Sequence, residues 1–314
     1  MKVLVLGSYV SANCLCVERL PLAGESLGAQ ALWVEHGGKG LNLAVGLHRL
    51  GLGVEVLLAV GNDAAGDALL DLLHTEGLDT RWVVKVGERS GLGVGLIAAD
   101  GSNLIVIYPG ANALLDKTHI QTAISALEST NLVYAQFEIP DAPIREAFQQ
   151  AQQYGIKTLL NPSPWRVPDP ALLALTDMLV LNETEAAACF GITDVPALSL
   201  TQWLRLLPTL AWQGELLVVT LAERGCVALQ RGQPAIHEPA WTITAIDTTG
   251  AGDAFTSGLI YTLLNHYSLE TALRFANACG AIVATQPGVL PALPRFTAVQ
   301  TFMAGQAYAD SSSV

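Results

Sequence analysis

The sequence predicts a three-layer α/β/α fold with a mostly parallel central sheet and a small β-sheet lid. Three observations lead there. Short aliphatic runs recur along the 314 residues, each followed by a helical pattern. Two segments have strand composition without helices between them. The composition, 51% hydrophobic and only 14% charged, suffices for a substantial core.

The runs are KVLVLG (2–7), VEVLLAVG (54–61), LVYAQFE (132–138), KTLLN (157–161), MLVLN (178–182) and LLVVTL (216–221). Unbroken aliphatic strands of this kind are covered on both faces, the habit of parallel sheets. Between them lie the helical stretches LNLAVGLHRLG, AGDALLDLLHTEG, PIREAFQQAQQYG, ETEAAACFG and SLTQWLRLLPTLAW, several closed by a C-terminal glycine. Alternation of strand and helix implies right-handed crossovers. Residues 24–36 and 81–110 break the rhythm, and Asp100-Gly101 between GLIAA and NLIVIY is a hairpin signal. The expected division is a core of 1–9, 37–80 and 111–314, with a lid of 10–36 and 81–110. The tail ADSSSV is expected to fray.

Several classes of function are excluded. The net charge of −12, with no basic block, argues against a nucleic-acid partner. The five cysteines are widely spread and fit neither a CxxC pair nor a zinc knuckle, as expected of plain thiols in a reducing cytosol. MKVLVLGSYV reads as a first strand without a cleavage pattern. The charge-free ANACGAIVATQPGVLPALP is interrupted by three prolines, so no membrane span is expected. The chain reads as cytoplasmic.

In open parallel sheets ligands sit beyond the carboxyl ends of the strands. The polar residues there are Gly7-Ser8, Asn62-Asp63, Glu138, Asn161, Asn182 and Thr220. The stretch DTTGAGDAF (247–255) runs a glycine turn into an apolar helix, a junction that attracts anions. The amides of Gly250, Ala251, Gly252 and Asp253 form a nest for an oxyanion. An acidic Asp253 there suits a base that takes a hydroxyl proton while the nest holds a phosphoryl group. It equally suits a charge on the helix dipole, and the nonapeptide alone leaves both open. GGKGLN (37–42) precedes a helix, with Lys39 and Asn42 as donors to hydroxyls or carbonyls. It is not a Walker loop, and no GxGxxG follows the first strand. Asn182-Glu183-Thr184-Glu185 either caps the next helix or offers one carboxylate to the water shell of Mg²⁺.

GGKGLN, LNETEA, VVTLAERG and DTTGAGDAF, in this order and at these separations, resemble the ribokinase-like (PfkB-type) family of sugar kinases. The similarity also takes in GANALL, LNPSP and FANACGAIVATQPG, so it spans nearly the whole chain. It implies a ribokinase-like fold and ATP-dependent transfer of a γ-phosphate to a primary hydroxyl of a small sugar. Asp253 would be the base, with the anion hole at Gly250, Ala251 and Gly252. Ser8, Gly38, Lys39, Gly40, Asn42 and Glu138 would hold the sugar. Asn182 and Glu185 would lie on the phosphate and Mg²⁺ side. Thr220, Leu221, Ala222, Glu223, Arg224, Gly225 and Asn277 would line the nucleotide, with Gly252 at the phosphates. A monovalent cation (K⁺) would be held by Asp247 and by carbonyls of Thr249, Val283, Gln286 and Gly288.

Two departures stand out. Ribokinases carry a sugar-gripping Asp in a loop like GSxNxD, where GSYVSANCL has Ala12 and, beside it, Asn13. Loss of a charge-assisted diol acceptor costs roughly 1.5–3 kcal/mol if nothing replaces it. The glycine of TLGxxG is Ala222. A nucleoside kinase of the same family, with Tyr9, Trp33 or Tyr108 as the wall for a base, and a non-catalytic sensor are the alternatives. The apolar LWV and LIVIY runs predict a lid-to-lid homodimer.

Overall fold

The computed structural model describes residues 1–100, 102–193 and 198–305. Gly101 of the hairpin signal and the tail ADSSSV lie outside the described residues. The strands are β1 Lys2–Leu6, β2 Val10–Val17, β3 Ala31–Gly37, β4 Gly53–Leu57, β5 Ala59–Val60, β6 Val84–Lys85, β7 Gly91–Ala98, β8 Asn103–Tyr108, β9 Leu132–Gln136, β10 Lys157–Asn161, β11 Met178–Asn182, β12 Leu216–Thr220, β13 Cys226–Gln230 and β14 Ile236–Glu238. The helices are α1 Lys39–Leu50, α2 Ala64–Glu76, α3 Lys117–Thr122, α4 Ile124–Glu128, α5 Asp141–Gln153, α6 Pro170–Ala174, α7 Glu183–Phe190, α8 Leu200–Leu206, α9 Ala251–Leu264, α10 Leu269–Ala284 and α11 Phe296–Gly305.

The large sheet has the order β14-β13-β12-β11-β10-β9-β1-β4, parallel from β4 through β12 and antiparallel at the β13–β14 edge. Strand alternation splits its apolar residues between two cores. Val3 and Val5 face a core shared with Leu43 and Leu47 of α1, Leu259 of α9 and Leu273 of α10. Leu4 and Leu6 face another, with Ile144 and Phe148 of α5 and Trp203 of α8. The expected three layers are therefore present. The aliphatic run 54–61 divides at Leu58, and its second half pairs with β6 in a separate two-stranded sheet.

The lid is a four-stranded sheet of order β3-β2-β7-β8. Its attachment to the large sheet is pinned twice. Asp63 caps α2 through Gly66 N–H (3.0 Å) and also accepts from Ser90 N (2.9 Å) and Oγ (2.6 Å), where the chain enters β7. Asn112 accepts from Tyr9 N (3.1 Å) and donates to Tyr9 O (2.7 Å), where the chain enters β2.

Candidate active site

The site is assembled where α1, α9 and the ends of β1 and β9 meet. Gly7 and Gly40 touch backbone to backbone: a Cβ on Gly7 would stand 2.4 Å from the Gly40 Cα. Only glycines allow the GGKG turn to approach β1 this closely. Ser8, fully buried, ties the turn in place, accepting from Gln136 Nε2 (2.9 Å) and Gly40 N (3.4 Å) and donating to Glu138 Oε2. Glu138 Oε2 also accepts Lys39 N–H (2.9 Å). Ser8 and Glu138 thus already hold the loop that carries Lys39, a duty the sequence does not reveal.

Asp253 lies in the first turn of α9, 3% exposed. Its Oδ2 accepts Asn42 Nδ2–H (2.8 Å), and its Oδ1 faces Lys39 Nζ at 3.4 Å. The Asp253 charge holds the Lys39 ammonium above its ordinary range, against the opposing effect of burial and with help from Glu138 and Glu185. Asn42 Oδ1 is buried without a partner among the described residues. Such an orphan acceptor is costly unless a ligand or water completes it.

Gly250 caps α9 with φ 76°, and a Cβ there would stand 2.3 Å from Val289 Cγ1. The positive φ turns the chain so that the first amides of α9 are presented together. Ala251 N–H donates to Thr248 O (3.2 Å), leaving the amides of Gly250, Gly252 and Asp253 without acceptors among the described residues. Beside Gly252 there is open space, since a Cβ there meets nothing within 4 Å. Free donors at a helix N-terminus facing open space suit an anion.

Asn182 and Glu185 form a reciprocal capping box on α7: Glu185 N donates to Asn182 Oδ1 (2.8 Å) and Asn182 N to Glu185 Oε2 (2.9 Å). Glu185 is nonetheless buried on the Lys39 side, whereas Glu183 turns away to pair with Arg224. The Tyr134 hydroxyl, buried without a partner among the described residues, shows the convergence of charge. Burial first, then the charges of Asp253, Glu138 and Glu185, hold its phenol well above the ordinary range.

The strip after β12 is a 3₁₀ turn over Ala222–Arg224. Ala222 takes φ 50°, a left-handed conformation costing roughly 1–2 kcal/mol for a residue with a Cβ. Thr220 Oγ1 leans on Leu181 O (3.4 Å), Leu221 is buried, and Glu223 is exposed. Arg224 is spent on Leu198 O and Glu183, and a Cβ on Gly225 would meet Glu238 O at 2.1 Å. Asn277 Nδ2 donates to Glu238 O (3.2 Å) and Pro239 O (2.9 Å). Asp247 accepts from Thr249 N (2.9 Å) and Gly288 N (3.4 Å), joining the turn before α9 to the loop after α10. Val283 O, in the last turn of α10, accepts from Gln286 N (3.1 Å) of that loop.

Not every strand-end residue reaches the site. Asn62 and Asp63 serve the lid attachment, and Asn161 donates to Val180 O (2.9 Å). Of the three aromatics that the nucleoside-kinase alternative offers as a wall for a base, Tyr9 is fully buried with its hydroxyl on His36 Nδ1 (3.0 Å), so it does not line an open pocket. Gln136 and Tyr134 were missed. Both lie within the run LVYAQFE, where nothing separates a site-facing polar residue from a core one.

The pfkB family carbohydrate kinase description matches residues 1–295. The chain is 31% identical to a ribokinase of Haemophilus influenzae over 291 residues, covering 92% of this chain and 94% of that one. It is also 31% identical to a deoxyribokinase of Salmonella typhimurium over 297 residues, covering 94% and 96%. Among solved structures it superposes on an Arabidopsis thaliana ribokinase complexed with ribose and ATP, with a TM-score of 0.88 at 27% identity, covering 96% of this chain and 98% of that one. By its motifs, its layered fold with a lid, and a match over almost its whole length, the chain belongs to the pfkB family of carbohydrate kinases.

Proposed function

We propose that this carbohydrate kinase transfers the γ-phosphate of ATP to a primary hydroxyl of a small sugar, a ribose-like pentose or a relative of one, with Asp253 as the general base. The carrying observation is a buried carboxylate set among free amides at the start of α9, oriented by Asn42 and Lys39. Asn42 fixes Oδ2, and Oδ1, held only by the longer 3.4 Å contact with Lys39 Nζ, receives the acceptor proton. The orphan Asn42 Oδ1 takes a hydroxyl hydrogen from the same sugar. The Gly252 and Asp253 amides, with the α9 dipole, stabilise charge on the transferred group. The lid excludes water that would otherwise consume ATP.

Residues present fit the two ions. Mg²⁺ keeps most of its waters and needs one or two carboxylates plus phosphate oxygens. Glu185, with Oε1 outside the capping box, would supply such a carboxylate. When bound, Mg²⁺ neutralises charge on the phosphates. A monovalent cation (K⁺) would be held by the Asp247 carboxylate and by carbonyls of Thr249, Val283, Gln286 and Gly288, near the negative C-terminal end of α10.

The lid favours a homodimer. Strand register puts Leu32, Val34, Leu104 and Val106 on one face, and all four are exposed. A contiguous apolar patch of this kind is normally covered. Light scattering at micromolar concentration would give a dimer, reduced to monomer by Val34→Asp; a wild-type monomer would remove the interface.

Among the described residues no helix is long and apolar enough to cross a membrane. The kinase reading is tested by ADP release with ribose, 2-deoxyribose, hexoses and nucleosides. Release stimulated by a sugar supports it, stimulation by nucleosides alone moves the acceptor class, and tight binding without turnover makes the protein a sensor.

A further inference from the structure

We propose that Glu35, on the lid, selects the acceptor by receiving the hydroxyl groups that Ala12 cannot hold. The inference rests on the kinase reading of the site. Position 12 offers only a methyl group. The β2–β3 register sets Glu35 directly opposite Ala12, on the same face of the lid. Directly paired residues have Cβ atoms about 5 Å apart, so the longer Glu side chain covers the space above Ala12 from the neighbouring strand.

That face is the inner one. A Cβ built on Gly288 would lie 3.4 Å from Glu35 Oε1 and 3.7 Å from Oε2. Gly288 N–H donates to Asp247, and the adjoining Val289 packs on Gly250, three residues before Asp253. Glu35 therefore stands across from the loops that frame the anion donors. The Cys14 thiol, on the same lid face, is raised by burial first and then by the charges of Glu35 and Asp247. Lid and catalytic loop thus share one electrostatic neighbourhood.

The carboxylate is also positioned. Trp33 Nε1 donates to Oε1 at 2.8 Å, Oε2 takes no hydrogen bond from a described residue, and no described cation pairs with it. A half-buried carboxylate, oriented by an indole and otherwise unused, is a ready acceptor for hydroxyl hydrogens. Beside it, Gly93 and Gly95 share the face of Ala12 and Cys14. A Cβ on Gly95 would meet only Cys14 Sγ, at 3.9 Å. Bare backbone here gives room for a polyhydroxyl acceptor to lie against the lid with a hydroxyl pair turned to Glu35.

The test compares D-ribose with 2-deoxy-D-ribose, reading kcat and KM for each, the ATP KM and the K⁺ half-activation. Glu35→Gln should raise the ribose KM about 10- to 100-fold with kcat within about threefold. The 2-deoxyribose KM should rise much less, and ATP and K⁺ dependence should not move. Restoring the carboxylate on the other strand, Ala12→Asp with Glu35→Ala, should recover at least about tenfold of the loss. An unchanged ribose KM, equal losses for both sugars, or a shift in K⁺ half-activation alone would overturn the inference. If the wild-type protein phosphorylates no acceptor, the kinase reading fails and takes this inference with it. Turnover that needs Asp253 but ignores Glu35 defeats the inference only.

Discussion

Gly252→Ala should separate stability from activity. Gly252 lies in the first turn of α9, and a Cβ there meets no neighbour within 4 Å. Replacing a helical glycine by alanine should stabilise the fold by about 0.5–1 kcal/mol, roughly 1–3 °C in Tm for a chain of this size. The new methyl would nevertheless stand in the open space beside the free amides. A phosphoryl group displaced by about 1 Å from its in-line position loses on the order of a hundredfold in rate. Gly250→Ala is the control of opposite sign. Its φ of 76° costs about 1–2 kcal/mol with a Cβ, and the contact with Val289 at 2.3 Å adds roughly 1–3 kcal/mol of overpacking. Differential scanning calorimetry and a coupled ADP assay read both variants. Gly252→Ala should be more stable and far slower, Gly250→Ala less stable and slow. A Gly252→Ala protein with full turnover would show that the open space beside Gly252 is not where the transferred group sits.

Asn42→Ala removes the donor on Asp253 Oδ2 and the orphan Oδ1 together, so acceptor kcat/KM should fall about 10- to 100-fold while the ATP KM holds; a rise confined to the ATP KM would contradict the assignment. Asp253 raises the Lys39 pKa in the fold, so the stability gained from Lys39 is fully present below its unfolded value, about 10.4, and is lost as pH rises through the folded value. The unfolding free-energy gap between wild type and Lys39→Met should accordingly stay constant from about pH 7 to 9 and shrink above about pH 10.4; a gap that shrinks below pH 9 would contradict it. On the proposed cation site, Asp247→Ala should remove any gain of rate that K⁺ gives the wild type, measured by titrating KCl against a tetramethylammonium background for both proteins; a gain retained in the variant would move the cation elsewhere.

The layered fold was legible because its strands are aliphatic without interruption, as burial on both faces requires. The antiparallel edge was not. CVALQ and IHE are short and mixed, and their place is set by pairing with β12 rather than by their own pattern. Within the site, glycine-rich turns announced themselves, since backbone approach such as that between Gly7 and Gly40 tolerates no side chain. The duties of polar residues were less visible. Asn182 and Glu185 read equally as cap and as ligand, and the structure shows the cap while keeping Glu185 on the Lys39 side. Glu35 carries no motif. Its meaning depends on standing opposite Ala12 across two strands, a register no linear pattern encodes.

In the proposed mechanism Asp253 removes the acceptor proton. Asp253→Asn keeps the shape of the side chain, and its carbonyl oxygen can still accept from Asn42. At saturating ATP and sugar its kcat should be lower by on the order of a hundredfold or more, with acceptor and ATP KM within a few-fold of wild type. An unchanged kcat would contradict it and leave Asp253 as a charge on the α9 dipole alone.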